Sequence, residues 1–152
     1  TFDKGRLSQV KWIEGPISKS KILPIEQKLV EAHNVGLNFK DVVEASGMIN
    51  LNSKMKYTGD SYSIGLEFSG KFISGENVMG IVKNSALSNL VASDNSMTWN
   101  IPSEWSMEDA ATVPLTYATV IYAMIEIGRI KPGHSILIHA GAGGVGKRHT
   151  GN

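Results

Sequence analysis

"SILIHAGAGGVGKRHTGN", residues Ser135–Asn152, is the stretch on which the reading of this sequence turns. "SILIHA" has the form of a fully apolar, buried strand, and it runs straight into glycines at 141, 143 and 146, a GxGxxG pattern. Glycine at such positions permits a tight turn, lets backbone N–H groups approach a pyrophosphate, and leaves room for a helix to pack closely. A glycine-rich turn between any strand and helix can give the same spacing, so a plain turn stands beside the dinucleotide reading. A mononucleotide loop competes as well, because "GAGGVGKR" nearly satisfies GxxxxGK[ST] with Lys147 in the lysine position. Arg148 occupies the place where that motif needs a hydroxyl for Mg²⁺, and no later strand offers an acidic partner, so this reading ranks low. The dinucleotide reading has its own demand: a ribose-reading residue ~20 positions beyond the loop and a helix with an apolar face. "KRHTGN" has no apolar residue.

Upstream, "KPGH" reads as a turn, and a helix is expected to begin at Ser106, which is placed to cap it, with Glu108 and Asp109 in the first turn. Pro114 interrupts that helix or begins the next, which continues to Gly128 with Leu115, Ile121, Tyr122 and Ile125 available for a buried face. Farther back, "RLSQVKWIEG" alternates over Leu7, Val10 and Trp12, "KLVEAHNVGL" carries Leu29, Val30, Ala32 and Val35, and "NVMGIV" adds a short apolar run. These predict strands of a small, strongly bent sheet or barrel. In "NFKDVVEASGMI" the spacing of Phe39, Val42, Val43 and Met48 predicts a short helix capped near Asn38 and ended by Gly47. Asn50 to Ser63 reads as a loop.

The 152 residues allow one full domain plus the start of another, with 41% hydrophobic and 19% charged residues giving a globular composition. Fifteen basic residues against fourteen acidic ones, scattered along the chain, leave no footprint for nucleic acid or an anionic membrane. Cysteine is absent, and the four histidines show no ligand spacing, so no metal is expected. The polar N-terminus does not read as a signal peptide, no apolar run is taken to reach the ~18 residues of a membrane span, and cytoplasm is the expected compartment.

Five ordered stretches, "GLNFKDVVEASG", "GLEFSG", "ENVMGIV", "WNIPSEWSMEDAATVPLTYATVIYAM" and "GRIKPGHSILIHAGAGGVG", together resemble the enoyl reductase region of animal-type fatty acid synthases. That region lies within the zinc-free, quinone-reductase-like branch of the medium-chain dehydrogenases/reductases. The resemblance covers Gly5 to Gly146 and implies a mixed α+β chain. Residues 1–113 would form a GroES-like substrate domain, and residues 114–152 the linking helix, first strand and glycine loop of a Rossmann-type NADPH domain. It implies hydride transfer from NADPH to the β-carbon of an enoyl thioester on an acyl carrier domain, in fatty acid synthesis, within a parent enzyme that is a homodimer. By the same resemblance Asn38, Lys40 and Asp41 would be catalytic, near the cleft between domains, while Thr119, Tyr122, Gly141, Gly143, Gly144, Val145 and Gly146 would bind the cofactor. Read without it, Asn38 is a helix cap, Lys40 and Asp41 a solvated pair, and Thr119 an ordinary threonine in a buried helix. The chain departs from the family after Gly146, where an apolar, alanine-rich helix is replaced by Lys147, Arg148 and His149. The chain therefore reads as a reductase fragment, inactive by itself, with a free-standing quinone or enal reductase and a non-catalytic docking module as alternatives.

Overall fold

The computed structural model describes residues 5–9, 11–48 and 64–150, so the loop expected over Asn50 to Ser63 lies outside the described residues. The chain divides into two units, Thr1–Thr112 and Val113–Asn152.

The first unit is a curled antiparallel half-barrel of five strands, the bent sheet expected of a GroES-like domain. The strands are β1 (Gln27–Gly36), β2 (Glu67–Phe72), β3 (Asn77–Ile81), β4 (Leu90–Asp94) and β5 (Thr98–Asn100), and they lie in the order β4-β1-β2-β3-β5. Alternation places Val30, Phe68, Val78 and Val91 inward, where they form the core with Val82 and Ala86. Phe68 is fully buried opposite Gly80, and a Cβ at Gly80 would come within 2.8 Å of the Phe68 ring. The small residue makes room for the large one. At one corner the turn Asn95–Met97 joins β4 to β5, and the Ser93 and Thr98 hydroxyls meet there at 2.6 Å. Asp94 caps that turn, accepting the Ser96 amide at 2.8 Å and the Ser96 hydroxyl at 2.6 Å, and these bonds hold its carboxyl below the usual aspartate range.

Helix α1 (Phe39–Ala45) follows β1 and ends as expected at Gly47, whose φ of 74° suits glycine. The Gly47 amide donates to Glu44 O and the Met48 amide to Val43 O, the paired bonds of a Schellman stop. Its buried face, however, is not the expected one. Val43 and Ala45 are buried, but so are Asp41 and Glu44, while Phe39 is 81% exposed and Val42 and Met48 are exposed too. Hydrogen bonds and an ion pair to those two acids, described below, decide the orientation over the apolar spacing. Helix α2 (Met107–Ala110) starts where the sequence indicated, with Ser106 Oγ accepting the Asp109 amide at 3.0 Å. The Ser69 hydroxyl donates to Met107 O at 2.6 Å and ties α2 to β2.

Two expected strands are not formed among the described residues. Leu7–Gln9 form a single 3-10 turn, Trp12 is 73% exposed, and Val10 lies outside the described residues. Among the described residues, alternation there meets no neighbouring strand to pair with. Trp12 instead borders a groove of about 280 Å³ with Ile13, Pro16 and Leu87.

In the second unit, residues 135–138 form no strand, and Ile136 and Leu137 are exposed. A buried strand needs partners on both edges, and the described residues of this unit contain no other strand. Pro114 begins helix α3 (Pro114–Ile121), which passes into a π-helical segment, Tyr122–Ile127. The expected buried face is not formed, since Ile121, Tyr122 and Ile125 are all more than half exposed. No apolar layer among the unit's described residues covers them. Helix α4 (Gly144–Thr150) closes the unit. The expectation of no membrane-length apolar run is also corrected: Met107–Ile127 is long and apolar enough to cross a membrane by length and composition, although a turn at residues 111–113 breaks it.

Phe68→Ala is expected to destabilise the first unit by about 3–5 kcal/mol, whereas Trp12→Ala should change stability by less than about 0.5 kcal/mol, both measured by urea unfolding of the chain. Because the folded carboxyl of Asp94 titrates below its unfolded value, its contribution is present at neutral pH and lost as the pH falls through the lowered value. Asp94→Asn should therefore flatten the acid limb of the stability profile.

Candidate functional site

The first set of expected site residues gathers at the N-terminus of α1. Asn38 is extended (φ −104°, ψ 151°), and its amide donates to Asp41 Oδ2 at 3.0 Å, one half of a capping box. Asp41 Oδ1 accepts the Gly65 amide at 3.0 Å, so a carboxylate only 1% exposed is satisfied by two backbone donors. The Asn38 side-chain amide donates to Glu67 Oε1 at 3.0 Å and to Gly36 O at 3.3 Å. Lys40 Nζ donates to Glu44 Oε2 at 2.6 Å and to Asn84 Oδ1 at 2.7 Å. Asn84 takes a left-handed backbone, φ 51°, which asparagine tolerates better than most residues.

Asn38, Lys40 and Asp41 are thus in one polar cluster with Glu44, Glu67 and Asn84. Asn38 does sit at the helix cap, but Lys40 and Asp41 are not a solvated pair: Asp41 is buried, and the Lys40 charge meets Glu44. The sequence reading missed Glu44, Glu67 and Asn84. Lys40 and Glu44 are four apart on a helix, a spacing that pairs opposite charges and could have drawn attention to Glu44. Glu67 and Asn84 arrive from other segments, and no local signal announces them.

The second set lies in the second unit. Thr119 is exposed, not buried, and its hydroxyl donates back to Leu115 O at 2.7 Å. Tyr122, three residues on and therefore on the same helix face, is exposed at the start of the π-helical segment. The glycine loop turns tightly: Ala140 has φ 54°, the Gly143 amide donates to Ala140 O at 2.9 Å, and Gly144 begins α4. Gly146 is buried against the turn, and a Cβ there would lie 2.6 Å from Ala140 O and from Gly141 Cα. A Cβ at Gly141 would meet nothing within 4 Å, and one at Gly143 only Ala140 O at 3.3 Å. Gly144 faces Thr116 of α3, and Val145 is partly exposed. Among the described residues no three acidic or histidine side chains are arranged to hold a metal ion.

No family model matches the chain. It is 37% identical over 140 residues, 85% of its length, to a probable polyketide synthase of Dictyostelium discoideum. To a highly reducing polyketide synthase of Glarea lozoyensis it is 36% identical over 143 residues, 93% of its length. The chain spans only 6% of either relative. Among solved structures it is similar to the CurK enoyl reductase, with a TM-score of 0.81 and 29% identity over 95% of this chain and 47% of that one. A mycobacterial protein solved in complex with NADPH shares the fold at a TM-score of 0.65 and 26% identity, over 86% of this chain and 42% of that one. Its homologues are thus polyketide synthases, and its structural neighbours are enoyl reductases of the quinone-oxidoreductase-like medium-chain dehydrogenase/reductase superfamily, consistent with the resemblance in the sequence.

Proposed function

We propose that this chain supplies the GroES-like substrate domain, residues 1–113, and the opening of the cofactor domain, residues 114–152, of an NADPH-dependent enoyl reductase. Its substrate would be an enoyl thioester on an acyl carrier domain, in a polyketide- or fatty-acid-type synthase that works as a homodimer. The observation that carries the reading is the match to an enoyl reductase structure over nearly the whole chain.

The glycine loop fits the dinucleotide. Gly146 sits where no Cβ has room, so the turn can close on itself, and Gly141 has open space beyond its Cα, so a pyrophosphate can come against the backbone. Gly141, Gly143, Gly144, Val145 and Gly146 would hold the phosphates, with Thr119 and Tyr122 toward the nicotinamide. NADPH, when bound, supplies the hydride for the β-carbon. Lys40 carries a side-chain N–H donor beyond those given to Glu44 and Asn84, and in the reductase it would orient the thioester carbonyl, while Asn38, whose side-chain N–H groups go to Gly36 O and Glu67 Oε1, would hold the site in place. Asp41 would set their position by fixing the start of α1.

NADPH fluorescence titration of the chain tests this. The wild type is expected to bind weakly. Gly141→Val, whose Cβ would meet no protein atom within 4 Å, should abolish binding with circular dichroism and thermal midpoint unchanged, while Gly146→Ala should disturb both the loop and binding. Unaltered affinity in a folded Gly141→Val would show that the loop holds no pyrophosphate. NADPH oxidation with a crotonyl thioester is expected to be absent from the isolated chain and to appear when it is joined to the second half of the CurK reductase.

A further inference from the structure

A lysine ammonium has three donors. In Lys40 two of them are committed within the first unit, to Glu44 Oε2 at 2.6 Å and to Asn84 Oδ1 at 2.7 Å, and the third has no partner among the described residues. The Lys40 side chain is 35% exposed and that of Glu44 is 0% exposed. The cation is therefore gripped from inside and shown to solvent from outside. Separating the pair would leave a buried carboxylate uncompensated, which keeps the two together. Asn84 adds a second anchor from a different segment and restricts where Nζ can move.

This arrangement has an electrostatic consequence. The pair has no net charge, so what it presents outward is a directed N–H dipole, not an unbalanced cation. A neutral carbonyl oxygen can use such a donor fully. A phosphate or carboxylate oxygen placed on the same nitrogen would also feel the Glu44 charge close behind it, which offsets much of the attraction.

We infer that Glu44 is a positioning and specificity-determining residue: it neutralises and aims Lys40 so that the site accepts the neutral carbonyl of a thioester and disfavours anions. The inference deepens the proposed function and rests on its reading that Lys40 faces substrate.

The test uses the whole chain with isotope-labelled lysine, following the Lys40 Nζ signal by NMR, with Lys40→Arg to identify it. The probes are crotonyl-N-acetylcysteamine, crotonate and inorganic phosphate. In the wild type the signal should respond to the thioester and far less to either anion at equal concentration. Glu44→Gln keeps the shape and removes the charge, and it should tip the ratio of apparent dissociation constants toward the anions by about three- to tenfold. Glu44→Asp keeps the charge and should restore most of the preference for thioester, which a purely structural role would not predict. A folded Glu44→Gln with the wild-type ratio would overturn the role of Glu44 and leave Lys40 facing substrate. A wild-type Lys40 signal indifferent to the thioester would overturn the inference together with the reading on which it rests. Should Glu44→Gln fail to fold, the wild type still decides: in a uniformly carbon-13-labelled sample the carboxyl carbon signal of Glu44 should move with the Lys40 signal during the thioester titration, and a stationary signal would overturn the assignment.

Discussion

The carboxylate of Asp41 lies inside the first unit with one oxygen on the Asn38 amide and the other on the Gly65 amide. Those two bonds join the start of α1 to the segment that enters β2. A buried carboxylate left without partners would cost more than most contacts supply, so these two bonds hold Asp41 where it is. The orientation of α1 is set by that requirement. Once the helix is so placed, Glu44 comes to lie inside one turn later, Lys40 must lean back to meet it, and Phe39 and Val42 are left outside.

This explains which parts of the architecture were legible in the sequence. β1 and β3 are legible from their short apolar runs, although β1 carries an irregularity between Ala32 and Asn34, and the Ser106 cap and the glycine stop at Gly47 are legible because each is specified by residues within one turn. Helix α1 is legible as a helix but its inner face is not, since apolar spacing alone does not reveal two buried acids, one held by the distant Gly65 amide and the other by Lys40, which is itself anchored to the distant Asn84. The run from Leu7 to Trp12 shows the converse error. Alternation is a condition for a half-buried strand, and without a neighbouring strand it produces none.

Two aspects of the glycine loop differ in the same way. Its turn geometry was visible in the spacing, and the close approach of Gly146 to Ala140 and Gly141 gives the third glycine a physical reason to be glycine. The state of residues 135–138 was not visible, because a strand is a property of at least two segments. Asn38, Lys40 and Asp41 stand out in the sequence only through resemblance, and the side chains that hydrogen-bond to Asn38 and Lys40 do not stand out at all. Glu67 and Asn84 belong to the cluster through tertiary structure alone.

The corner between β4 and β5 carries a consequence for the shape of the sheet. These strands follow one another along the chain yet occupy its two outer positions. In a flat sheet of that order, outer strands would be four spacings apart, roughly 19 Å at about 4.8 Å each. Even fully stretched, the chain from Asp94 to Thr98 reaches only about 14 Å. A flat sheet is therefore out of reach, and the short connection obliges the strands to curl until the two edges come near each other. Additional residues in that turn would lift the restraint, leaving the sheet free to open and offer both edges to another chain.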